Sequence, residues 1–343
     1  MTGIRFGIVG SGFMGRTWAE VAAHHAAGTS LVAVTGGRRA PALAADYGVD
    51  LEPSLESLVQ RDDVDAVVLA TPPATHRAQT LLAAQAGRHL LVEKPMAQSA
   101  VECAEMVGAC RAAGVRLSVV SQHRFRDSPV AAKHLIDAGR IGTVRMIQLT
   151  GAEVGWWDLA ARGDEWKLDP SQQTAYASWG AHACDLIRWF SGSDAALAFA
   201  RIGNFSGEPP GVGQTAVVIY EMTSGVLVQV TMSYEFPKPG LSPGWPWLIV
   251  GSEGMIDLDP YGAVRLGRGE TWETVSEQPP FDPLDAVDPV RLAAYRRQLE
   301  DLVAAIDERR DPLVSGEEGR RTTAMLDAAQ RSAVTDQAVW LTR

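Results

Sequence analysis

The first third of the chain alternates short apolar runs with longer amphipathic stretches. The apolar runs are continuous, as in strands buried on both faces, and cover residues 4–9, 31–34, 66–69, 90–92 and 117–120. Helices are predicted between them, over residues 13–27, 40–47, 75–86 and 99–113. The last three end at a glycine, the residue that most often caps a helix C-terminus. This alternation predicts a parallel sheet with helices on both faces.

The pattern changes after residue 122. Further β-like runs follow with turn residues between them, over residues 144–150, 216–221, 226–234, 247–250, 255–258 and 263–266. Consecutive strands of this kind are typical of an antiparallel sheet. Helices are predicted over residues 130–139, 181–190, 292–306 and 317–334. We therefore expect an α/β domain over residues 1–122 and an α+β domain with a large, mostly antiparallel sheet over residues 123–343.

Composition narrows the function classes. The net charge is −10, with 31 Lys and Arg against 41 Asp and Glu, which argues against a broad nucleic-acid surface. No apolar run approaches a membrane span, and the first residues lead directly into a strand without a signal-peptide pattern. The 3 cysteines suggest neither a disulfide framework nor a zinc site. We expect a cytoplasmic protein with no metal and no nucleic-acid or membrane partner.

A glycine-rich turn follows the first strand and opens the first helix. It consists of Gly10, Ser, Gly12, Phe13, Met14 and Gly15, which fits GxGxxG. The first glycine permits a tight turn, the second lets a pyrophosphate approach the backbone, and the third lets helix and strand pack closely. Free N–H groups and the helix dipole then favour phosphate. The alternative is a glycine turn without a ligand. The context favours a dinucleotide-binding Rossmann domain.

The end of the second strand bears on which dinucleotide binds. An NAD site usually has an acid there for the ribose hydroxyls, but this chain has Thr35 and Gly36 and then Arg38 and Arg39, with no acid before Asp46. Two arginines can hold a 2′-phosphate bidentately. This favours NADP over NAD, unless the two arginines simply begin a solvated helix.

Three further segments carry a family resemblance. They are Glu93-Lys94-Pro95 after the fourth apolar run, residues 70–76 (Ala-Thr-Pro-Pro-Ala-Thr-His) and residues 180–185 (Gly-Ala-His-Ala-Cys-Asp). Together with the glycine turn they resemble the Gfo/Idh/MocA oxidoreductases, over nearly the whole chain. The resemblance implies a Rossmann domain, a second domain built on a mostly antiparallel sheet, and hydride transfer to or from a sugar or cyclitol hydroxyl.

The resemblance also implies roles for single residues. Lys94 would lie beside the substrate hydroxyl and the nicotinamide, and His182 would act as acid/base. The residues that would line the cofactor, besides the glycine turn, are Thr71, Pro72, His76, Glu93 and Lys94. Oxidation of an alcohol also releases a proton, so a base is needed, and histidine titrates near neutrality. Lys94 could act as a neutral base or, if charged, stabilise an alkoxide; the alternatives are a surface lysine and a structural histidine.

The substrate region departs from the family pattern. Ser178 stands where members commonly have Asp, so the substrate is not carried over by analogy. Arg124 could bind a carboxylate, and tryptophans could stack on sugar rings or pack in the core or at an interface. The candidate substrate-binding residues are Gln122, Arg124, Trp156, Trp157, Tyr176, Ser178 and Asp185.

The leading hypothesis is thus an NAD(P)-dependent dehydrogenase or reductase of sugars or cyclitols that prefers NADP. A second hypothesis is a cyclic dihydrodiol dehydrogenase. A third, of another class, is a nucleotide-sensing regulatory protein on the same fold. One face of the C-terminal sheet needs a cover, which in the resembling family is often another subunit, so a homodimer or homotetramer is expected.

Overall fold

The computed structural model describes residues 3–152, 175–207, 213–237, 239–242 and 244–341. The chain divides into two compact units. Residues 1–125 and 281–320 form the first, and residues 126–280 and 321–343 form the second.

The first unit is built on a parallel sheet. Its described strands are β1 (Ile4–Val9), β2 (Thr29–Thr35), β3 (Asp50–Leu51), β4 (Ala66–Leu69), β5 (His89–Val92) and β6 (Leu117–Val119). They lie in the order β3-β2-β1-β4-β5-β6, and each neighbouring pair is parallel. This is the Rossmann strand order, whose ligand crevice lies outside the carboxyl ends of the strands where the order reverses. The predicted parallel sheet is confirmed.

Helices connect these strands. They are α1 (Phe13–Glu20, continued by a π-helical turn Val21–His25), α2 (Ala40–Tyr47), α3 (Leu55–Gln60), α4 (Pro73–Gln85), α5 (Ala100–Ala113) and a 3₁₀ turn (Gln122–Phe125). Alternate residues of β4 enter different apolar clusters: Ala66 and Val68 pack with one, and Val67 and Leu69 with the other. Both faces of the sheet are therefore covered, which explains why β4 is apolar throughout.

The second unit is built on a larger sheet. Its described elements are α6 (Asp127–Asp137), β7 (Val144–Ala152), α7 (Ala175–Ser191), β8 (Ala195–Gly203), β9 (Thr215–Met222), β10 (Leu227–Ser233), β11 (Trp247–Gly251), β12 (Met255–Leu258), β13 (Ala263–Arg268), β14 (Thr271–Glu277) and β15 (Val339–Trp340). The strand order is β14-β13-β12-β11-β7-β10-β9-β8-β15. Only β7 and β10 pair in parallel among these strands, so the predicted mostly antiparallel sheet is confirmed.

Along β9, described residues cover one face of this sheet and leave the other exposed. Along β9, Val218 and Tyr220 are fully buried, whereas Val217 and Ile219 are 43% and 47% exposed. The buried face packs against α7 and belongs to a large apolar cluster. The alternation follows from the two-residue period of a strand with one buried face.

Two long helices, α8 (Pro289–Asp307) and α9 (Gly316–Thr335), lie between β14 and β15 in sequence. The apolar stripe of α8 includes Leu292 and Leu299, and it shares a buried cluster with Phe6 of β1 and Trp18 of α1. Residues 281–320 therefore belong to the first unit. The expected division, with all residues from 123 onward in the second domain, differs from this grouping because sequence order does not reveal which sheet a helix covers.

Candidate functional site

The glycine loop between β1 and α1 has three glycines with three different surroundings. Gly10 has φ +108°, and a Cβ there would lie 2.3 Å from the carbonyl oxygen of Ala70. A Cβ on Gly15 would lie 2.1 Å from the carbonyl oxygen of Gly10. A Cβ on Gly12 would meet nothing within 4 Å. Gly10 and Gly15 are therefore required by the fold, whereas Gly12 leaves open space beside the α1 N-terminus, where a pyrophosphate fits.

The loop after β2 packs directly against the glycine loop. A Cβ on Gly37 would lie 2.5 Å from Ser11 Oγ, and the Arg39 backbone N–H donates to the same oxygen at 3.2 Å. Arg38 and Arg39 are exposed, and neither forms an ion pair with any residue that the structure describes. Two exposed arginines without a described ion-pair partner thus follow the segment that packs on the glycine loop.

Carboxylates that could bind ribose hydroxyls lie elsewhere. Asp46, the first acid after β2, is near the far end of α2 and accepts from Arg16 at 2.9 Å. The hydroxyl of Thr35 is buried and donates to the backbone carbonyl of Glu52 at 2.8 Å. Thr35 thus holds the end of β2 to the chain after β3, a structural contact that the sequence pattern did not predict.

His76 is buried between the loop after β4 and the loop after β5. Its side chain has no exposed surface, Nε2 is 2.7 Å from the carbonyl oxygen of Thr71, and Nδ1 is 3.1 Å from that of Pro95. Burial lowers the pKa of the imidazole. His76 therefore ties the loop after β4 to the loop after β5. Its expected contact with the cofactor needs correction, whereas Thr71 and Pro72 keep partly exposed surfaces.

The Glu-Lys-Pro segment follows β5. Glu93 is buried, accepts from Trp18 Nε1 at 2.9 Å, and accepts from the Lys94 backbone N–H at 3.1 Å. Burial raises the pKa of Glu93, and the positive charge of Lys94 opposes the rise. The Lys94–Pro95 peptide bond is cis, and the Lys94 side chain is half-buried. Glu93 therefore fixes the backbone at Lys94 rather than facing solvent.

Two predicted substrate residues lie in the 3₁₀ turn after β6. The amide oxygen of Gln122 is buried and accepts no hydrogen bond from the described residues, so it is open to a ligand donor. Arg124 is 4% exposed and donates through Nη2 to Glu318 Oε2 at 2.9 Å. Glu318 of α9 thus supplies one carboxylate partner for Arg124, and binding of a substrate carboxylate by this arginine stays a prediction.

Within the second unit, α7 carries three of the predicted site residues. His182, Asp185 and Ser178 are 7%, 4% and 8% exposed, and all three lie on this helix. The Trp179 ring meets the His182 imidazole edge-on, with ring centroids 6.5 Å apart. The surrounding side chains therefore restrict the motion of these three polar residues.

Tyr176, at the start of α7, lies in a buried hydrogen-bond network, and its predicted contact with the substrate stays a prediction. It is 2% exposed, and its hydroxyl lies 2.7 Å from that of Tyr220, which donates to the Met325 carbonyl at 3.1 Å. Cys184 Sγ lies 3.5 Å from the Tyr220 hydroxyl, and burial raises the pKa of this thiol to about 11. The phenol network anchors α7 to β9 and α9, and the protonated thiol is not a nucleophile.

Some predictions lie outside these observations. Trp156 and Trp157 fall outside the described residues. Within the described ranges, no group of three or more His, Cys, Asp or Glu side chains could hold a metal ion. A search of the same residues finds no helix with the length and apolarity to cross a membrane.

Family models match both halves of the chain. The model described as "Oxidoreductase family, NAD-binding Rossmann fold" matches residues 4–121, and the "GFO/IDH/MocA C-terminal domain" matches residues 130–257.

The chain belongs to the Gfo/Idh/MocA family of oxidoreductases.

Family relatives cover almost the entire chain. A 1,5-anhydro-D-fructose reductase of Ensifer adhaerens is 29% identical, with 97% of this chain and 97% of the relative aligned. A "D-xylose 1-dehydrogenase (NADP(+)) 2" of Haloferax volcanii is 27% identical over 88% of this chain and 89% of its own. The structure of GenD2 from gentamicin A biosynthesis in complex with NAD has a TM-score of 0.84 at 24% identity, over 100% and 97% of the two chains. The predicted resemblance and the nicotinamide-dependent enzyme class are confirmed.

Proposed function

We propose that this Gfo/Idh/MocA protein transfers a hydride between a nicotinamide and a secondary hydroxyl or ketone of a sugar or cyclitol, and that it prefers NADP. The sugar-named reductase and dehydrogenase relatives support the substrate class. The nicotinamide, when bound, supplies the hydride acceptor or donor. The residues of this chain hold the dinucleotide, orient the sugar and move the proton.

The observation that carries the NADP preference is the loop after β2. Arg38 and Arg39 are exposed and unneutralised by any described residue, and no acid stands at this strand end. Two bidentate donors suit a 2′-phosphate, and a hydrogen bond to a charged group contributes about 1.5–3 kcal/mol, or roughly 10- to 150-fold in affinity.

Fluorescence titration tests this preference. The expected result is NADPH binding at least about tenfold more tightly than NADH. The double substitution Arg38→Gln with Arg39→Gln removes the difference by weakening NADPH alone. Arg140→Gln with Arg145→Gln removes the same charge at exposed positions of the second unit and serves as the control. Equal affinities in the wild type would refute the preference.

We propose Lys94 as the group beside the reacting hydroxyl and His182 as the acid/base, on the family pattern. The fixed backbone at Lys94, held by the buried Glu93, supports a positioned side chain. Ser178 and Asp185 are proposed to bind substrate beside His182 on α7, and Gln122 is proposed to accept a hydrogen bond from the substrate through its unpaired amide oxygen. Turnover on a panel of ketosugars and cyclitols tests the assignment. Tight cofactor binding without turnover on any of them would instead favour a regulatory protein.

We propose a homodimer or homotetramer formed through the uncovered face of the second sheet. Val217, Ile219 and Leu227 are 43%, 47% and 55% exposed on neighbouring strands, an apolar surface that association would bury. Light scattering of the wild type should give a mass that is a multiple of 36.8 kDa, the mass of one chain. Ile219→Glu should lower the measured mass toward that of the monomer. A monomeric wild type would exclude the assembly.

We also propose a cytoplasmic location. The 3 cysteines are all buried and free, as expected where thiols stay reduced. Cell fractionation with a tagged chain checks it, and recovery from an oxidising compartment would contradict it.

A further inference from the structure

An arginine far along the sequence lies against the glycine loop. Arg291 is in the first turn of α8, where the Asp288 side chain accepts from its backbone N–H at 3.1 Å. Its guanidinium carbon lies 4.6 Å from the centre of the Phe13 ring, and Nη2 lies 3.4 Å from Met14 Sδ. Phe13 and Met14 are the first two residues of α1. Arg291 thus stands at the helix end that the glycine loop opens.

A second aromatic residue also contacts the guanidinium. Its carbon lies 5.1 Å from the centre of the Tyr295 ring, and Nη2 donates to the Tyr295 hydroxyl at 3.2 Å. Tyr295 packs edge-on against Trp18, with centroids 5.1 Å apart, and Trp18 donates to Glu93. The side chain is therefore fixed between two aromatic rings, and its position is linked to the segment that precedes Lys94.

The positive charge of Arg291 acts on the carboxyl groups of Asp288 and Glu93 and favours their ionised forms, but it is not neutralised by direct contact with either carboxylate. Among the described residues it forms no ion pair, and its Nε is buried with no hydrogen-bond partner. Its positive charge reaches Glu93, where burial raises the carboxyl pKa and Lys94 and Arg291 oppose the rise, but no direct contact forms.

A cation at this location is electrostatically costly without an anion. The N-terminus of α1 carries the positive end of the helix dipole, its first turn has no acid, and Gly12 provides no side-chain cap. An arginine beside it adds repulsion, which Asp288 and Glu93 offset in part and which a bound anion would turn into attraction. The open space at Gly12 is where such an anion fits.

We propose that Arg291 binds the pyrophosphate of the dinucleotide together with the N-terminus of α1. This assignment rests on the proposed function, because it requires a dinucleotide in the glycine loop. The first unit thereby uses two distant parts of the sequence on one ligand group: backbone N–H groups from residues 12–15 and a guanidinium from residue 291.

The test compares ligands with and without a pyrophosphate. Arg291→Gln should weaken NADPH and 2′-phospho-ADP-ribose by about 10- to 100-fold in equilibrium titrations, since a charge-assisted hydrogen bond is lost. Adenosine 2′-monophosphate has no pyrophosphate, so it should bind Arg291→Gln as tightly as it binds the wild type. Arg296→Gln, on the same helix in an exposed pair with Glu300, is the matched control and should leave every affinity unchanged.

Salt and a conservative variant separate binding from folding. The affinity of the wild type for NADPH should fall more steeply with salt than that of Arg291→Gln, because one phosphate contact is missing. Arg291→Lys keeps the charge and the apolar stem, so it should fold as the wild type and bind with intermediate affinity. Unchanged NADPH affinity in both variants would overturn the assignment of Arg291 alone. Failure of the wild type to bind either NADPH or NADH would overturn the proposed function with it.

Discussion

Replacing Gly12 with alanine adds one methyl group where the fold leaves room. Gly12 has φ −77° and ψ −164°, which alanine adopts readily, and the added Cβ meets nothing within 4 Å. Alanine is a poorer N-cap, but it also lowers the entropy of the unfolded chain by about 0.4–1 kcal/mol. We therefore expect the free energy of unfolding to change by less than about 1 kcal/mol.

The same methyl group occupies the space proposed for the pyrophosphate. Displacing the phosphate breaks charge-assisted hydrogen bonds from the helix N–H groups, and a loss of about 2–4 kcal/mol corresponds to roughly 30- to 700-fold weaker NADPH binding. Gly15→Ala provides the contrast. Its Cβ would lie 2.1 Å from the Gly10 carbonyl oxygen, so a cost of about 1–3 kcal/mol in stability is expected there.

Urea denaturation gives the free energies of unfolding, and fluorescence titration gives the dissociation constants. The expected pattern is a stable Gly12→Ala protein that fails to bind and a destabilised Gly15→Ala protein. Wild-type NADPH affinity in a folded Gly12→Ala variant would refute the placement of the pyrophosphate at this loop.

Three further outcomes are expected. Lys94→Ala should lose about 10²- to 10⁴-fold in kcat while the dissociation constant of NADPH stays within about threefold; near-normal turnover would remove Lys94 from the mechanism. Tyr220→Phe should lower the urea unfolding free energy by about 1–3 kcal/mol, since the Tyr176 hydroxyl and the Met325 carbonyl lose their partner; no loss would make the network unimportant. Burial raises the pKa of Glu93, so the contribution of this carboxyl group to stability is present below its ordinary pKa of 4.5 and is lost as pH rises through the raised pKa. Glu93→Gln should therefore flatten this part of the curve of unfolding free energy against pH. An unchanged curve would contradict the raised pKa.

The first sheet was predictable because its strands carry their own signal. A strand buried on both faces must be apolar throughout, as in Ala66–Leu69, where the predicted and observed bounds coincide. β8 (Ala195–Gly203) was missed because four of its nine residues are alanine, which has low strand propensity. Its pairing with β9, the next strand of the sheet, along nearly its whole length overrides that local preference.

Site residues that directly follow a strand could be predicted from the sequence. Contacts between site residues and partners far along the chain could not. The glycine loop follows β1 directly, so its surroundings could be anticipated. Arg124 gave no sign that Glu318, 194 residues away, pairs with it. Ser11 and Trp18 hold the loops together, yet neither belongs to a periodic pattern. Arg291 was missed for the same reason: its neighbours Phe13 and Met14 lie at the opposite end of the chain.

The return of residues 281–320 to the first unit has a consequence for synthesis. The stripe of α8 completes the buried cluster that contains Phe6 and Trp18, so those side chains keep an uncovered apolar surface until α8 has left the ribosome. At about 5–20 residues per second, the roughly 170 residues between the end of β6 and the start of α8 take on the order of ten seconds. During that interval the part of the cluster that α8 covers stays exposed, and we expect the same surface to stay exposed in a chain truncated near residue 122.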